Sequence, residues 1–227
     1  MAQVKQNDFI EIDYTGRTKD DNFVFDTTEK SVAQKAGLSD QKSDFSPSIV
    51  CVGQGHLLPG LDKRLVGLEV GKSHIIEVPM DEAFGKRDAK MIRMIPLNRF
   101  QKQRINPVPG LQINIDGAYG TVKTVSGGRC IVDFNHFLSG KDLVYDMKIN
   151  KIVTDDKQKL DALMRMYMHS SDSKIEINAD TANITYKSAH HGHSHPKEPL
   201  VEIAKEVMPH IKTINLTEEK AEKPHSH

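Results

Sequence analysis

"GQGHLLPGLDKRLVGLEVGKS", residues 53–73, sets two leucines, Leu57 and Leu58, against a Pro-Gly step and follows them at once with apolar residues at helical spacing. Leu61, Leu65 and Leu68 fall at i, i+4 and i+7, while Gly67 and Gly71 cut the pattern off after barely two turns. A short helix lying on a sheet is expected, with a leucine pair at its mouth. The neighbouring segments supply the sheet. "DFIEIDYTGR" alternates, with Ile10, Ile12 and Tyr14 on one face and Glu11 and Asp13 on the other, and is expected to stop at Gly16. "NFVFDTT" reads as a second strand ending at Asp26, "IVCVG" as a third, and "SHIIEVPMDEAFG" as a fourth, interrupted by Pro79 and closed by Gly85. Residues 29–47 read as a short helix and polar loop inserted at the surface.

The next strand of this type is "KDLVYDMKINKIV", residues 141–153, and the roughly 50 residues before it are too many for a plain loop. Within them "KMIRMIPL", "LQINI", "AYGTVKTV" and "GRCIVDFN" are β-like and separated by the turn signals "NPVPG", "DG" and "SGG", so a small β-domain inserted into the first is expected. After Val153 the pattern becomes helical, with Leu160, Leu163, Met164, Tyr167 and Met168 on one face. "KIEIN" and "ANITY" alternate as strands. Leu200, Ile203, Ala204, Val207 and Ile211 mark a further helical face, and "KTINLTE" closes with a strand. This gives an αββαβ two-layer domain, followed by a polar tail with nothing to bury.

Composition excludes several function classes. Lys plus Arg and Asp plus Glu are 31 each, so no basic excess exists to hold phosphates, and nucleic acid is not an expected partner. No run approaches the roughly 20 apolar residues of a membrane span, and "MAQVKQNDFIEIDY" lacks the apolar core of a signal peptide. A soluble, cytoplasmic protein without membrane contact is expected. Cys51 and Cys130 form no CxxC pair and read as reduced, buried thiols. There is no G-x-S-x-G, no Walker loop, and no G-x-G-x-x-G after a strand. Instead, Tyr14, Phe25, Leu57, Leu58, Phe84 and Tyr145 each sit beside a turn, where a fold can gather strand ends around one cavity; taken singly, each reads equally as ordinary core.

The order and spacing of "YTG", "VFDTT", "VGQGHLLPGLDKRLVGLEVGK" and "DEAFG" resemble the spine of an FKBP-type peptidyl-prolyl isomerase. The resemblance covers residues 1 to about 87 and resumes at "FNHFLSGKDLVYDMKI", which is similar to the closing strand in the SlyD-like branch. That branch carries a domain inserted in the flap that acts as a chaperone module, and archaeal long-type relatives add a C-terminal domain. The implied fold is α+β: an FKBP-type antiparallel β-sheet with a short helix over 1–87 and 134–153, an inserted small β-domain over 88–133, a C-terminal αββαβ domain over 154–217, and a disordered tail over 218–227. The implied activity is proline isomerisation in folding polypeptides and prolyl peptides, without a required cofactor. By position, the family's pocket falls on Tyr14, Phe25, Asp26, Leu57, Leu58, Leu61, Phe84 and Tyr145. Two departures stand out: Leu61 replaces a frequent Trp, and Phe84 replaces a Tyr whose hydroxyl often contacts the ligand, both of which bear on macrolide-inhibitor affinity. His56 and His136 adjoin the pocket by the same resemblance, as structural groups or as substrate contacts.

Apolar residues of the insert, Met91, Ile92, Met94, Ile95 and Phe100, are candidates for holding unfolded chain, or else form that small domain's own core. His190, His191, His193 and His195, with His225 and His227 at the end, can converge on nickel, copper or zinc, resembling the nickel-binding histidine-rich tails of SlyD-like proteins, or else chelate metal only weakly and adventitiously. Two rival readings use the same scaffold: a metal-handling protein and a non-catalytic holdase. A homodimer through the C-terminal domain is a further expectation.

Overall fold

The computed structural model describes residues 2–38, 45–170, 172–187 and 196–219, so the histidine positions 190–195, 225 and 227 and most of the tail lie outside the described residues. The fold is mixed α+β with three sheets. Two compact units result: the described residues of Met1–Arg17, Val24–Ile76 and Val144–His227, and those of Thr18–Phe23 and Glu77–Leu143.

In the first unit, β1 (Phe9–Thr18), β2 (Val24–Thr27), β3 (Ser48–Cys51), β4 (Ser73–Val78) and, much later in the chain, β9 (Leu143–Ile152) form a sheet of order β2-β1-β9-β4, with β3 also on β1. Ile10 and Ile12 are fully buried, as the alternation requires. The strand does not stop at Gly16: it runs to Thr18, with a register shift between Gly16 and Arg17. Gly16 is there for space. A Cβ on it would lie 2.8 Å from the Phe25 ring and 2.9 Å from that of Tyr145. The hydroxyls of "DTT" knit β2 to β1, with Thr15 Oγ1 2.9 Å from Thr27 Oγ1 and the Tyr14 N–H donating to Thr28 Oγ1 over 2.9 Å.

Helix α1 (Lys30–Ala36) follows β2, and α2 (Pro59–Leu65) opens on a proline at its first position, where the missing N–H has no helical partner to lose. Leu61 and Leu65 are buried, but Leu68 lies beyond the helix end. It stays tied to the fold through its carbonyl, which accepts the Val4 N–H over 2.9 Å.

The later part of this unit has α4 (Asp156–Met168), β10 (Ser173–Asn178), β11 (Thr181–Tyr186), α5 (Glu198–Val207) and β12 (Thr213–Glu218). Asp155 caps α4 by accepting the Gln158 N–H over 2.8 Å. β10 and β11 are antiparallel, and β12 returns through α5 to lie parallel to β11. Ile211 is buried but lies past the end of α5. Leu160, Leu163, Met164 and Met168 of α4 share one core with Leu200, Ala204, Ile184 and Tyr186, and with Phe9 and Cys51 from β1 and β3. The αββαβ layer therefore packs on one end of the first sheet.

The second unit holds β5 (Ile92–Pro96), α3 (Leu97–Lys102), β6 (Gln112–Ile115), β7 (Ala118–Ser126) and β8 (Arg129–Asp133), in sheet order β5-β8-β7-β6. Helix α3 is not expected from the sequence: at under two turns it shows no readable period, yet it delivers Phe100 to the core beside Ile95, Ile113, Val122, Cys130 and Val132. The two chain segments entering and leaving this sheet are fastened together. Asn135 exchanges hydrogen bonds with Asp88 at 2.9 and 3.0 Å, and the buried Asp133 carboxylate takes Arg87 at 2.8 Å and the Asn135 side chain at 2.8 Å. Among the described residues no helix is long and apolar enough to cross a membrane.

Candidate functional site

A cavity of about 370 Å³ opens beside the mouth of α2, lined by Tyr14, Asp26, Gly55, His56, Leu57, Leu58, Pro59, Leu61 and Tyr145. Strand β1 contributes Tyr14 and β2 Asp26, whose neighbour in the register is Gly16. Tyr145 comes from β9, buried, and Phe25 meets it edge-on with ring centroids 5.8 Å apart. Tyr14 and Tyr145 are tilted at 6.2 Å. The Phe25 and Tyr145 rings both lie against the place a side chain at Gly16 would take. Leu61, buried on the first turn of α2, lines the same cavity as the half-buried pair Leu57 and Leu58.

Few polar side chains line the site, and Tyr14, Asp26 and His56 among them are hydrogen-bonded. The Tyr14 hydroxyl donates to Asp26 Oδ2 over 2.6 Å. Burial, then the adjoining Asp26 carboxylate, pushes the Tyr14 phenol far above its ordinary range, and burial does the same to Tyr145. Both stay protonated: the Tyr14 proton is taken up by Asp26, and Tyr145 carries a hydroxyl and not a phenolate.

One residue that shapes the cavity escapes sequence reasoning. Asp62, buried on α2, accepts the Gly53 N–H over 2.8 Å with one oxygen and the Gly55 N–H over 3.1 Å with the other. Gly53 has φ +83°, a left-handed conformation that suits glycine, so the loop before Leu57 is bent around this carboxyl. The available signal was a lone acid on the apolar face of a short helix. His56, expected at the pocket as a structural group or a substrate contact, accepts with its Nδ1 the N–H of Cys51 at the end of β3 over 3.0 Å.

Of the expected pocket set, Tyr14, Asp26, Leu57, Leu58, Leu61 and Tyr145 line one cavity and Phe25 packs against Tyr145. Phe84 belongs to the other compact unit, where it stacks on His136 at 4.3 Å with near-parallel rings. The candidate client-holding set of the insert divides. Ile95 and Phe100 are 6% and 2% exposed and belong to the core, because so small a sheet needs its largest apolar groups inside. Ile92 and Met94 are 42% and 60% exposed, and Ile131, directly opposite Met94 in the β5–β8 register and unforeseen, is 37% exposed. Among the described residues no group of three or more His, Cys, Asp or Glu is placed to hold a metal; the proposed ligands His190, His191, His193 and His195 lie outside them. Cys51 and Cys130 are free and buried, and burial pushes the Cys51 thiol up to about 12, which removes it as a nucleophile.

A family model described as FKBP-type peptidyl-prolyl cis-trans isomerase matches residues 1–100, and one described as the FKBP26 IF domain matches residues 93–138. Among similar proteins, the short-type peptidyl-prolyl cis-trans isomerase of Methanocaldococcus jannaschii is 28% identical over 149 residues, 66% of this chain and 94% of the relative. A probable FKBP-type 16 kDa peptidyl-prolyl cis-trans isomerase of Pseudomonas fluorescens is 31% identical over 115 residues, 48% of this chain and 75% of the relative. The FKBP-type isomerase SlyD of Haemophilus influenzae is 27% identical over 151 residues, covering 65% and 71%.

Asp62→Ala leaves two backbone N–H groups without their acceptor, and is expected to lower the stability of the protein by about 1–3 kcal/mol. A shift of the urea midpoint to lower concentration at constant slope checks this; an unchanged midpoint would show that the loop is held by other contacts.

Proposed function

The chain belongs to the FKBP-type peptidyl-prolyl cis-trans isomerases and is an enzyme of that activity, and we propose that it turns X-Pro bonds of folding polypeptides in the cavity of Tyr14, Phe25, Asp26, Leu57, Leu58, Leu61 and Tyr145. The observation that carries this reading is an apolar cavity whose one carboxylate is already engaged by a phenol. Rotation about X-Pro is opposed by amide resonance, a barrier of about 18–20 kcal/mol. No bond needs to be made to lower it. The twisted amide has lost resonance and is less dipolar than the planar one, so walls of Leu57, Leu58, Leu61 and aromatic rings favour the twisted form over the ground state. Asp26, with Tyr14 as its donor, orients the peptide and takes no proton. Phe84 joins the set through its "EAFG" motif alone.

Asp26→Ala is expected to lower kcat/KM on a proline tetrapeptide by about ten- to a hundredfold, or about 1.4–2.7 kcal/mol of transition-state stabilisation, in a protein that still folds. Phe84→Ala, assayed beside it, is expected to do the same. Full activity in a folded Asp26→Ala protein would remove the cavity from the reaction.

The insert is assigned a second role, holding unfolded chain. Ile92, Met94 and Ile131 support it as an exposed apolar stripe on one sheet face. A client held in the same molecule meets the pocket at an effective concentration of about a millimolar for a short flexible link. Met94→Asp combined with Ile131→Asp is expected to leave tetrapeptide turnover unchanged and to slow catalysed refolding of a proline-limited protein by about tenfold, the loss of that local concentration. Equal effects on both substrates would reject the role.

The spacing of His190, His191, His193 and His195 supports divalent nickel or zinc binding that catalysis does not need. Binding is expected to weaken below about pH 6.5, where imidazoles protonate and cease to be ligands. Titration calorimetry with nickel on the metal-free protein and on a variant with all four changed to alanine checks it, and indistinguishable isotherms would dismiss the site.

A further inference from the structure

His56 stands where the lip of the cavity meets the αββαβ layer. Its Nδ1 accepts the Cys51 N–H over 3.0 Å, so in the neutral ring the proton resides on Nε2. Nε2 lies 3.2 Å from the hydroxyl of Tyr167 on α4, and the two rings meet edge to face at 5.8 Å. Burial, opposed by the Asp62 carboxylate, holds the His56 imidazole below its usual pKa and so keeps the ring neutral at neutral pH. Burial raises the Tyr167 phenol, which keeps its proton. A second tie lies two residues away: the Gln54 amide donates to Asn7 Oδ1 at 2.9 Å and to Glu206 Oε1, on α5, at 3.0 Å. Both helices of the later layer thus grip the loop at positions 54 and 56, immediately before Leu57 and Leu58.

Packing alone does not require a hydroxyl at position 167, since a phenylalanine ring fills the same space. We propose that Tyr167 is a positioning residue for proline isomerisation: through its hydrogen bond to His56 Nε2 it fixes the lip Gly55, His56, Leu57 and Leu58, and so makes the αββαβ layer part of the catalytic apparatus. The inference rests on the cavity assigned above as the isomerase pocket. Tyr167 touches no substrate; it acts on the reaction only through the loop.

The test uses the full chain and a proline tetrapeptide. Tyr167→Phe keeps the ring and removes one hydrogen bond, and is expected to lower kcat/KM by about three- to tenfold, the range of a single net hydrogen bond. In a His56→Ala background the same substitution is expected to have no further effect, because the path it uses is gone. Full activity in Tyr167→Phe, or independent multiplicative losses in the two backgrounds, would overturn the inference. Asp26→Ala separates the two readings: if it retains activity, the pocket assignment falls; if it loses activity while Tyr167→Phe does not, only the role of Tyr167 falls. Should the variants fail to fold, the wild-type protein still decides. In a ¹⁵N-labelled sample, saturation with the tetrapeptide is expected to shift the His56 Nε2 resonance, and a resonance that does not move would overturn the coupling.

Discussion

Asp62 is an acidic side chain on the buried face of a helix of barely two turns, and its two oxygens are taken up by the N–H groups of Gly53 and Gly55. That contact bends the loop so that Leu57 and Leu58 arrive at the head of α2 with their side chains at the cavity. Everything else at the site presupposes it. Leu61 forms the base only because α2 starts where the loop delivers it, and Pro59 starts the helix without forfeiting a helical hydrogen bond. A carboxyl is well suited to this task because it accepts two donors at once, and a buried N–H without an acceptor costs about 1–3 kcal/mol. Tyr14, Asp26 and His56 are hydrogen-bonded within the protein, and Leu57, Leu58 and Leu61 give the cavity an apolar wall.

The sheet behind that wall is closed on both sides at one end. In a strand with one solvated face, Phe9 would point outward together with Glu11 and Asp13, yet it is 2% exposed. Leu160 and Leu163 of α4 cover it, and Cys51 and the half-buried Ile49 from β3 join the same cluster. The chain leaving β9 is pinned there, with the Val153 N–H donating to the Phe9 carbonyl over 2.7 Å. The isomerase sheet and the αββαβ layer therefore have a common core, and rigidity passes between them through packed side chains as well as through His56. This arrangement also accounts for the inertness of Cys51, whose thiol lies in the shared apolar interior.

Strand alternation made β1 legible in the sequence, and the leucine spacing made α2 legible, because both are local patterns with a fixed period. Features that depend on distant residues were not. Gly16 reads as a strand terminator, and only the approach of Tyr145, distant in the sequence, shows that the position is empty to admit two rings. The stripes through Leu68 and Ile211 continue past the ends of their helices because burial continues where the helical backbone does not. Of the cavity lining, Tyr14, Asp26, Leu57, Leu58, Leu61 and Tyr145 had been named from the resemblance that motif order carries, whereas the hydrogen bond of His56 to Tyr167 was not legible: Tyr167 reads on its own simply as one more residue on the apolar face of α4.

The insert shows how little apolar material a sheet of its size can spare. Its interior rests on Ile95, Phe100, Ile113, Ile115, Val122, Cys130 and Val132, and α3 supplies Phe100 to it. A small unit exposes a large share of its surface, so each apolar group left outside is a loss to a core that is already marginal. Met94 and Ile131 nevertheless face each other across β5 and β8 on the open side, with Ile92 two residues along the same face. Polar residues at these positions would cost the core nothing and would lower the risk of aggregation. A contact made by this face is therefore the more economical account of their presence. For the client-holding role proposed above, weak holding would suit a folding chain, since affinity differences lie mostly in the dissociation rate and the chain must leave the surface to complete its fold.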